Sequence, residues 1–323
     1  MDLSIVIALY NEEESLPELL SWIERALASQ KLEYEVILVD DGSTDKSWEV
    51  IERESKLYPA VKAIRFSRNY GKSAALFTGF EAAEGCVVVT MDADLQDSPE
   101  EIPELYEMIV NQGYDLVSGW KKRRKDNRLA KNLPSKLYNR VARRVTGLKL
   151  HDMNCGLKAY RLEVVKNIEV YGEMHRYIPY LAKIAGYRKI GEKVVKHQAR
   201  KFGKSKFGMD RFVNGFLDLI TLSFLAKFGK RPMHFFGTFG TLTFFIGFAT
   251  AAYLVADKLI SQANGLKFRQ VTDQPLFYVS LVALIIGMQL FLAGFVGELI
   301  SRNSTERNNY KIKERLEKGT PEA

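Results

Sequence analysis

Hydrophobic and polar positions alternate with two different periods over residues 1–118 of the chain. Short β-branched runs predict strands, at residues 3–9, 35–39, 61–66 and 86–91. Amphipathic segments between the runs predict helices, at residues 12–30, 45–57 and 72–84. Because strands and helices follow one another in turn, the pattern favours an α/β fold with a mostly parallel sheet covered by helices.

Two later segments are apolar throughout. Residues 232–256 carry no charged side chain and one histidine, and residues 275–297 carry no charge at all. Each exceeds the stretch of about 20 apolar residues that crosses a bilayer. A buried hairpin inside a soluble domain is the alternative, but a soluble core helix is rarely apolar on every face over this length. We therefore predict two transmembrane helices.

The regions that flank these two segments differ in charge. Basic residues dominate the outer flanks, with Lys227, Lys230 and Arg231 before the first segment and Arg302, Arg307, Lys311, Lys313 and Arg315 after the second. The connection between the segments has three basic residues, which two aspartates partly balance. The positive-inside rule therefore predicts that both termini are cytosolic. The first apolar run, residues 3–9, is too short for a signal peptide, so the N-terminal part should stay in the cytosol.

The chain has a formal net charge of +8. Its basic residues concentrate beside the apolar segments and in residues 121–144 and 200–230. A membrane surface and phosphate ligands account for this distribution, so no nucleic-acid partner is expected. Cys86 and Cys155 lack metal-ligand spacing, and we interpret both as reduced packing residues.

Acidic residues follow two of the predicted strands directly. Asp40 and Asp41 come after the second strand, and Asp92 and Asp94 come after the fourth. Ligands of open α/β sheets bind outside the carboxyl ends of the strands, so the two clusters are expected to share one site. The chain contains neither a GxGxxG fingerprint nor a Walker A loop, so dinucleotide and P-loop modes of binding are unsupported.

The second acidic cluster has the spacing of a cation site. Asp92, Asp94 and Gln96 are two residues apart, so an extended turn directs their side-chain oxygens to one side. Ligands that are all oxygen favour Mg²⁺ or Mn²⁺ over zinc. Such a cation would neutralise a nucleoside diphosphate leaving group. An isolated Asp-x-Asp pair is also a common solvated turn, but the apolar strand before it and the acidic end of the second strand favour the metal.

Four motifs together resemble the family 2 glycosyltransferases. They are IVIALYNEE at residues 5–13, VDDGSTD at 39–45, RNYGK at 68–72 and MDADLQD at 91–97. More narrowly, the chain resembles the polyprenyl-phosphate glycosyltransferases, the group that contains dolichyl-phosphate mannose synthase and bacterial undecaprenyl-phosphate glucosyltransferases. The resemblance runs from residue 3 to about residue 300. It implies a Rossmann-like GT-A fold with a mostly parallel sheet, followed by two transmembrane helices, an inverting reaction and a cytosolic active site.

The resemblance also implies roles for particular residues at the strand ends. The implied nucleotide pocket consists of Ala8, Leu9, Tyr10, Glu12, Asp40, Asp41, Lys72 and Asp92. The implied metal ligands are Asp92, Asp94 and Gln96. The family usually has proline where Ala8 stands, so we expect a slightly looser base pocket.

Two basic groups are implied to hold two separate phosphates. Arg200, Ser205 and Lys206 would hold the donor diphosphate. The group implied to hold the acceptor lipid phosphate consists of Lys121, Arg123, Ser135, Lys136 and Arg140. The family often has arginine where Lys121 stands, so a point charge would replace a bidentate contact there. A patch attracted to anionic lipid is the alternative for the first group, and a solvated helix face for the second.

Asp94 and Asp152 are the carboxylates to which the resemblance assigns catalytic roles. Asp152 lies in the segment 151–158, which is similar to an acidic segment that the family places beside the acceptor. A general base and an orienting group both remain open for Asp152, because a phosphate monoester with a second pKa of about 6 is mostly dianionic at pH 7. His175 and Arg176 match a subgroup pattern, and contact with sugar hydroxyls and a structural role are both open for them.

These observations predict inverting transfer of a sugar from a UDP- or GDP-sugar to a polyprenyl phosphate, for cell-envelope or glycan assembly. The expected partners are the nucleotide-sugar, the polyprenyl phosphate lipid and the membrane, the expected cofactor is Mg²⁺ or Mn²⁺, and assembly into a homo-oligomer is left open. A processive polysaccharide synthase is one alternative, but the sequence lacks the Gln-x-x-Arg-Trp motif of such enzymes. A non-catalytic membrane accessory protein is another, and the retained acidic and basic motifs argue against it.

We expect four parts along the chain. They are a cytosolic catalytic domain at residues 1–210, a juxtamembrane amphipathic basic segment at 211–231, a two-helix transmembrane domain at 232–300 and a cytosolic polar tail at 301–323. The protein is expected to be a multi-pass protein of the inner, cytoplasmic membrane.

Overall fold

The computed structural model describes residues 1–122, 142–202, 210–229 and 231–303 of the chain. Within it the chain forms two compact units, Met1–Thr221 and Leu222–Ala323. The first unit is built on a β-sheet with helices packed against it, and the second is helical. Each unit is described by itself below.

Seven strands form one mixed sheet in the described part of the first unit. In chain order they are β1 (Leu3–Leu9), β2 (Tyr34–Asp40), β3 (Val61–Arg65), β4 (Val87–Thr90), β5 (Leu116–Trp120), β6 (Lys158–Arg161) and β7 (Ile190–Val194). Their spatial order is β3-β2-β1-β4-β6-β5-β7. Strand β6 runs antiparallel to both of its neighbours, and all other neighbouring strands are parallel. The ends of β1, β2, β4 and β5 therefore meet the start of β6 at one edge of the sheet.

Helices follow most of these strands in the described part of the first unit. They include α1 (Leu16–Leu27), α2 (Ser47–Leu57), α3 (Lys72–Ala82), α4 (Ile102–Val110), α5 (Leu162–Lys166), α6 (Ile178–Ile184) and α7 (Asp210–Phe228), the last of which comes after the final strand and continues into the second unit. Helix α1 shows why they pack on the sheet, because its buried side chains recur every three or four residues and form one apolar stripe. Strands β1 and β2 are buried along most of their length, as expected for parallel strands covered by helices.

The elements predicted from periodicity are present, and their bounds differ by a few residues. Strand β1 has the predicted bounds, whereas α1 begins at Leu16 rather than at residue 12. The physical reason is that Asn11 has a positive φ of 55° and the backbone N–H of Glu12 donates to Ser47 Oγ at 2.9 Å. Residues 12–15 thus form a turn fixed by the neighbouring loop. Cys155 is buried as expected, whereas Cys86 is exposed because it precedes β4.

Two long helices form a hairpin in the second unit, α8 (Pro232–Ala263) and α9 (Pro275–Asn303). Both are long and apolar enough to cross a membrane. Only 17% of the most apolar window of each is buried, which distinguishes them from the core helices of a soluble domain. The backbones approach closely at glycines, since a Cβ atom built on Gly240 would lie 2.6 Å from Phe291 N. The fold therefore contains both of the long apolar helices predicted from the sequence.

Candidate active site

The loops that follow β1 and β2 interlock at the carboxyl edge of the sheet. Asn11 receives a hydrogen bond at its Oδ1 from the N–H of Thr44 at 2.8 Å, and its own N–H donates to Ser43 Oγ at 2.9 Å. Glu13 accepts the N–H of Lys46 at 2.8 Å. Tyr10 and Glu12 are half-buried within this arrangement, and Ala8 and Leu9 lie beneath it in β1 beside β2. These contacts hold the ends of β1 and β2, and with them Tyr10, Glu12 and Asp41, at one edge of the sheet.

The two aspartates after β2 hold backbone segments in place. Asp41 accepts the N–H groups of Tyr70 and Gly71 at 2.7 and 2.9 Å, and Asp40 accepts the N–H of Ser43 at 2.9 Å. Burial, together with the charge of Asp40, raises the pKa of Asp41 in spite of the two N–H donors. Gly42, which follows directly, has a φ of 70°, and a side chain at this position would overlap the backbone of Arg68. The loop that leads into α3 is thus anchored to the end of β2.

Asp92 lies beyond the end of β4 among lysine side chains. It forms an ion pair with Lys72, the first residue of α3. Burial opposes its ionisation, but Lys72, Lys121 and Lys158 outweigh that effect and hold the pKa of Asp92 well below its usual range. A Cβ atom on Gly156 would overlap the Asp92 carboxylate, so glycine there lets the backbone before β6 approach it.

Asp94, two residues further on, has the opposite electrostatic environment. Burial, the neighbouring charge of Asp92 and, more weakly, that of Asp97 raise the pKa of Asp94 to about 6. The N–H of Gln96 donates to its Oδ1 at 3.2 Å, and Arg200 Nη1 lies 3.7 Å from its Oδ2. These two contacts only partly offset the negative charge gathered at this edge.

Arg200 connects the two acidic strand ends. Its Nη2 donates to Glu12 Oε1 at 2.7 Å, and its Nε donates to the carbonyl oxygen of Phe202 at 2.7 Å. The preceding residues are bound to the loop after β4, because the N–H of Gln198 donates to the carbonyl oxygen of Gln96 at 2.9 Å. The segment 195–202 therefore lies along the loop that carries the Asp-x-Asp pair.

Two further lysines are buried on the β5–β6 side of the site. Lys121, which we predicted to bind the acceptor phosphate, forms an ion pair with buried Asp97 at 2.7 Å. Burial alone would lower the pKa of Lys121, but Asp97 outweighs it and raises that pKa. Lys158, the first residue of β6, donates to the carbonyl oxygen of Cys155, and burial lowers its pKa.

Asp152 lies in the segment that leads into β6. It is 3% exposed, and its Oδ1 accepts the N–H of Asn154 at 3.1 Å. Its own N–H donates to Glu192 Oε1 at 3.0 Å. Because β6 runs antiparallel to β4, this segment reaches the same edge of the sheet as Asp92.

His175 and Ser73 join the 3₁₀ turn Met174–Tyr177 to α3. Ser73 Oγ accepts the N–H of His175 at 3.1 Å and lies 3.0 Å from its Nδ1. Burial, reinforced by the positive charges of Lys72, Arg176 and Lys158, lowers the pKa of His175 well below its usual value. Its imidazole is therefore neutral at neutral pH.

Comparison with known proteins assigns the fold and the family. A family model described as Glycosyl transferase family 2 matches residues 4–169, a range that contains strands β2 to β6 and most of β1. A relative from Rhizobium johnstonii, a dodecaprenyl-phosphate galacturonate synthase, is 36% identical over 307 residues, 94% of this chain and 88% of that protein.

The chain belongs to glycosyl transferase family 2. It is therefore a glycosyltransferase. A second relative, an undecaprenyl-phosphate 4-deoxy-4-formamido-L-arabinose transferase from Aeromonas hydrophila, is 37% identical over 305 residues, 94% of this chain and 89% of that protein. These matched lengths extend into the hairpin of the second unit, and this glycosyltransferase is membrane-associated.

Solved structures support the GT-A fold of this glycosyltransferase. Glucosyl-3-phosphoglycerate synthase from Mycobacterium tuberculosis in complex with UDP has a TM-score of 0.54 and 18% identity, covering 70% of this chain and 79% of that chain. The same synthase with Mn²⁺, UDP-glucose and phosphoglyceric acid has a TM-score of 0.51 and 18% identity, over 70% of this chain and 79% of that chain. At this identity the likeness concerns the fold alone.

The side chains at the end of β4 have the chemistry of a divalent-cation site. Among the described residues no three His, Cys, Asp or Glu side chains are already arranged around one point. Burial and the charge of Asp92 raise the pKa of Asp94, and an added cation would favour its ionised form. The carboxylates of Asp92 and Asp94 and the amide oxygen of Gln96 are hard oxygen ligands. The residues present therefore fit Mg²⁺ or Mn²⁺.

Some residues predicted for the site of this glycosyltransferase lie outside the described part of the chain. They are Arg123, Ser135, Lys136, Arg140, Ser205 and Lys206. Other residues at the site were not identified from the sequence, namely Ser73, Asp97, Lys158 and Glu192. The position of Lys158 directly before the apolar pair Ala159–Tyr160 was a usable signal. A charged residue inside a short strand pattern is rarely buried without a role. Glu192 carried no such signal, because its next neighbour in the strand, Lys193, is also charged.

Proposed function

We propose that this glycosyltransferase transfers a sugar from a UDP- or GDP-sugar to a polyprenyl phosphate, which gives a polyprenyl-phosphate-linked monosaccharide for cell-envelope or glycan assembly. The observation that carries the proposal is the similarity to two enzymes whose names specify a polyprenyl phosphate, at 36% and 37% identity over 94% of the chain. The matched length includes the apolar hairpin as well as the sheet, so the similarity covers the part suited to a lipid acceptor.

The donor nucleotide would bind at the ends of β1 and β2. The interlocked loops there present Tyr10 and Glu12 beside Asp40 and Asp41. When the donor binds, the Arg200 guanidinium would leave Asp94 or contact Asp94 and the donor diphosphate together. Its 3.7 Å distance to Asp94 is longer than its 2.7 Å distance to Glu12, so the contact with Asp94 is the one that would change. A guanidinium already placed by Glu12 can stabilise the charge that grows on the leaving diphosphate. Ser205 and Lys206 are proposed to complete this contact.

A divalent cation would be held by Asp92, Asp94 and Gln96, and when bound it would neutralise charge on the leaving diphosphate. We propose Mg²⁺ or Mn²⁺, and Mn²⁺ is the first choice for tests because a synthase of similar fold was crystallised with it and UDP-glucose. Lys72 would support ionised Asp92 through their ion pair. The ion pair keeps the Asp92 carboxylate, one of the two proposed carboxylate ligands, charged at all physiological pH values.

The acceptor phosphate would be held on the opposite side by Lys121 and by Arg123, Ser135, Lys136 and Arg140. An anionic acceptor must approach an anionic donor, so cations on both sides lower the barrier. Asp152 would orient the acceptor and its cationic neighbours rather than remove a proton, because the phosphate is already mostly ionised at pH 7. Its charge acts on Lys158, which lies in the same part of the site.

The reaction would be a single displacement with inversion. An oxygen of the lipid phosphate attacks the anomeric carbon, and the bond from that carbon to the donor diphosphate breaks, with its electron pair leaving on the diphosphate oxygen. A donor with an α-linked sugar would therefore yield a β-linked lipid phosphate. The two apolar helices would span the inner membrane with both termini in the cytosol, which reporter fusions at residue 323 and in the loop around residue 266 would test.

The deciding experiment uses membranes that contain the full chain, polyprenyl phosphate and a set of radiolabelled UDP- and GDP-sugars. The expected result is label in the organic extract with one sugar, dependent on added polyprenyl phosphate and absent with Asp94→Ala. Label that appears only in a water-soluble polymer would overturn the proposed acceptor. Net retention at the anomeric carbon, read by NMR of the glycolipid, would overturn the single displacement.

A further inference from the structure

Glu192 makes three contacts with the two residues at the start of the Asp152 segment. Its Oε1 accepts the N–H of His151 at 2.7 Å and the N–H of Asp152 at 3.0 Å. Its Oε2 lies 2.7 Å from His151 Nδ1. Glu192 belongs to β7, 40 residues further along the chain than Asp152, and its side chain is 11% exposed. One largely buried carboxylate thus uses both oxygens on a single short stretch of loop.

The His151 ring is fixed from a second direction by Trp120. The two rings are stacked, with centroids 4.1 Å apart and planes 13° from parallel. Strand β5 pairs with β7 so that Ser118 faces Glu192, and Trp120 lies two residues beyond Ser118. Side chains two residues apart along a strand share a face, so Trp120 and Glu192 approach His151 from one face of the sheet.

We infer that Glu192 is a positioning residue that holds Asp152 in its working orientation, through a clamp formed by Trp120, His151 and Glu192. The inference rests on the proposed function, in which Asp152 orients the lipid phosphate. The clamp acts on the backbone of Asp152 and on its neighbour, and Glu192 itself does not contact the reacting atoms. Trp120 keeps the imidazole in plane, the imidazole holds one oxygen of Glu192, and the other oxygen holds the loop.

The charge of Glu192 makes this clamp stronger than ordinary loop contacts. Hydrogen bonds from N–H groups to an ionised carboxylate are shorter and about twice as strong as those between neutral groups. The Asp152 side chain also caps its own loop by accepting the N–H of Asn154. Without Glu192 two backbone N–H groups lose their acceptor, and the loop can shift. A shift of about 1 Å at a reacting group lowers turnover by as much as 10²-fold.

The test measures steady-state transfer to polyprenyl phosphate by the full chain in detergent or in membranes. Glu192→Ala should lower kcat by about 10- to 100-fold while KM for the nucleotide-sugar changes less than about twofold, since the donor side is untouched. Glu192→Gln retains an oxygen that accepts both backbone N–H groups, so its kcat should be at least about tenfold higher than that of Glu192→Ala. His151→Ala, which removes the ring and keeps the backbone contacts, should fall between the two.

A double-mutant cycle separates positioning from general stability. If Glu192 acts through Asp152, adding Glu192→Ala to Asp152→Asn should change kcat by less than about twofold. Glu104→Ala is the matched control, because Glu104 pairs at 2.8 Å with Lys193, the next residue of β7, and does not reach the Asp152 loop. The control should keep wild-type kcat.

The outcomes distinguish the clamp from the proposed function. Multiplicative losses in the cycle, or full activity of Glu192→Ala beside an impaired Asp152→Asn, would overturn the clamp and leave the proposed function in place. Full activity of Asp152→Asn would overturn the role of Asp152 in the proposed function. Should Glu192→Ala prove too unstable to purify, His151→Ala carries the same cycle: non-additivity with Asp152→Asn supports the clamp, and multiplicative losses overturn it.

Discussion

Arg200 Nη2 donates to Glu12 Oε1 at 2.7 Å, which joins a residue just after the first strand to one that follows the last strand of the sheet. The same guanidinium lies 3.7 Å from Asp94 through its other terminal nitrogen. The carboxylates of Glu12 and Asp94, which follow two different strands, thus orient the Arg200 guanidinium. The Arg200 guanidinium is thus held beside the residues proposed to bind the metal, where the proposed donor diphosphate would meet it.

Arg200→Ala should lower kcat for sugar transfer by about 10²- to 10³-fold, whichever polyprenyl phosphate is supplied, because the charge-assisted contact to the leaving diphosphate is lost. Arg200→Lys should recover little, since a single ammonium cannot contact Glu12 and the diphosphate in the fork geometry of arginine. Lys201→Ala is the control, because Lys201 forms an exposed ion pair with Glu18 and should leave kcat unchanged. Equal losses in Arg200→Ala and Lys201→Ala would contradict the assignment.

Binding of Mn²⁺ should weaken as the pH falls through about 6, the pKa of Asp94. A cation binds the ionised carboxylate, so its apparent affinity should drop by up to about tenfold per pH unit below that value. Calorimetric titration of the full chain with MnCl₂ at pH 7.5, 6.5 and 5.5 measures this, with proton release as a second readout. Asp94→Asn should lose both the binding and its pH dependence, whereas Glu100→Gln, an exposed change just beyond the same loop, should keep them.

Without a metal, Asp94→Asn should be more stable than the wild type at pH 7. The folded pKa of Asp94 lies above its ordinary value of 3.8, so its ionisation favours the unfolded chain and stability falls as the pH rises from about 4 to about 6. Removing the charge should restore about 1 to 3 kcal/mol of unfolding free energy. Thermal unfolding in detergent with chelator measures the difference, and a lower Tm for the variant would contradict it.

His175 should make the first unit less stable as the pH falls below 6.5. Its folded pKa lies well below that value, so the unfolded chain binds a proton that the folded protein does not. The loss is at most about 1.4 kcal/mol per pH unit. Melting curves of the wild type and of His175→Gln at pH 7.5, 6.5 and 5.5 measure it. The difference between the two proteins isolates His175 from Asp94, whose ionisation acts in the opposite direction, and a constant difference would refute the prediction.

The helical hairpin of the second unit should not tolerate side chains at its closest approach. A Cβ atom on Gly240 would lie 2.6 Å from Phe291 N, and one on Gly287 would lie 2.5 Å from Phe244 N. Gly240→Leu and Gly287→Leu should therefore separate the helices and lower the yield of folded protein after detergent extraction, because small residues are what allow such close contact. Ala252→Leu, on an exposed face of the same helix, should extract like the wild type.

The sheet and its helices could largely be predicted from the sequence because their periodicity reflects burial directly. Strand β1 and helix α3 begin at the predicted residues for this reason. The start of α1 could not be predicted, because it depends on hydrogen bonds from the Asn11 and Glu12 backbone to side chains more than 30 residues away. Local pattern carries no information about such partners.

The grouping of the side chains proposed for the donor side could be predicted from the sequence, and the contacts of those proposed for the acceptor side could not. Asp92 and Asp94 directly follow a parallel strand, so sheet geometry alone brings them to the ligand edge. Lys121 was expected to be available for a phosphate, and the structure pairs it with Asp97. That pairing, like the contact of Glu192 with the Asp152 loop, depends on which strand lies beside which, and a single sequence does not specify strand order. The roles of these residues in catalysis stay predictions.

Strand β6 runs antiparallel to both of its neighbours, so two kinds of chain segment meet at the candidate active site. One kind leaves a strand there, and the other enters a strand there. The residues around Asp41 and Asp92 leave the sheet at the ends of β2 and β4, whereas Asp152 is carried by chain on its way into β6. The chain between the end of β5 and the start of β6 begins and finishes at the same edge. The register of β5 and β6 is set by their pairing with each other and with their other neighbours. The acceptor side that we propose around Asp152 is therefore carried by a connection between paired strands, and the donor side that we propose around Asp41 and Asp92 by the ends of the strands themselves, so a change on one side need not move the other.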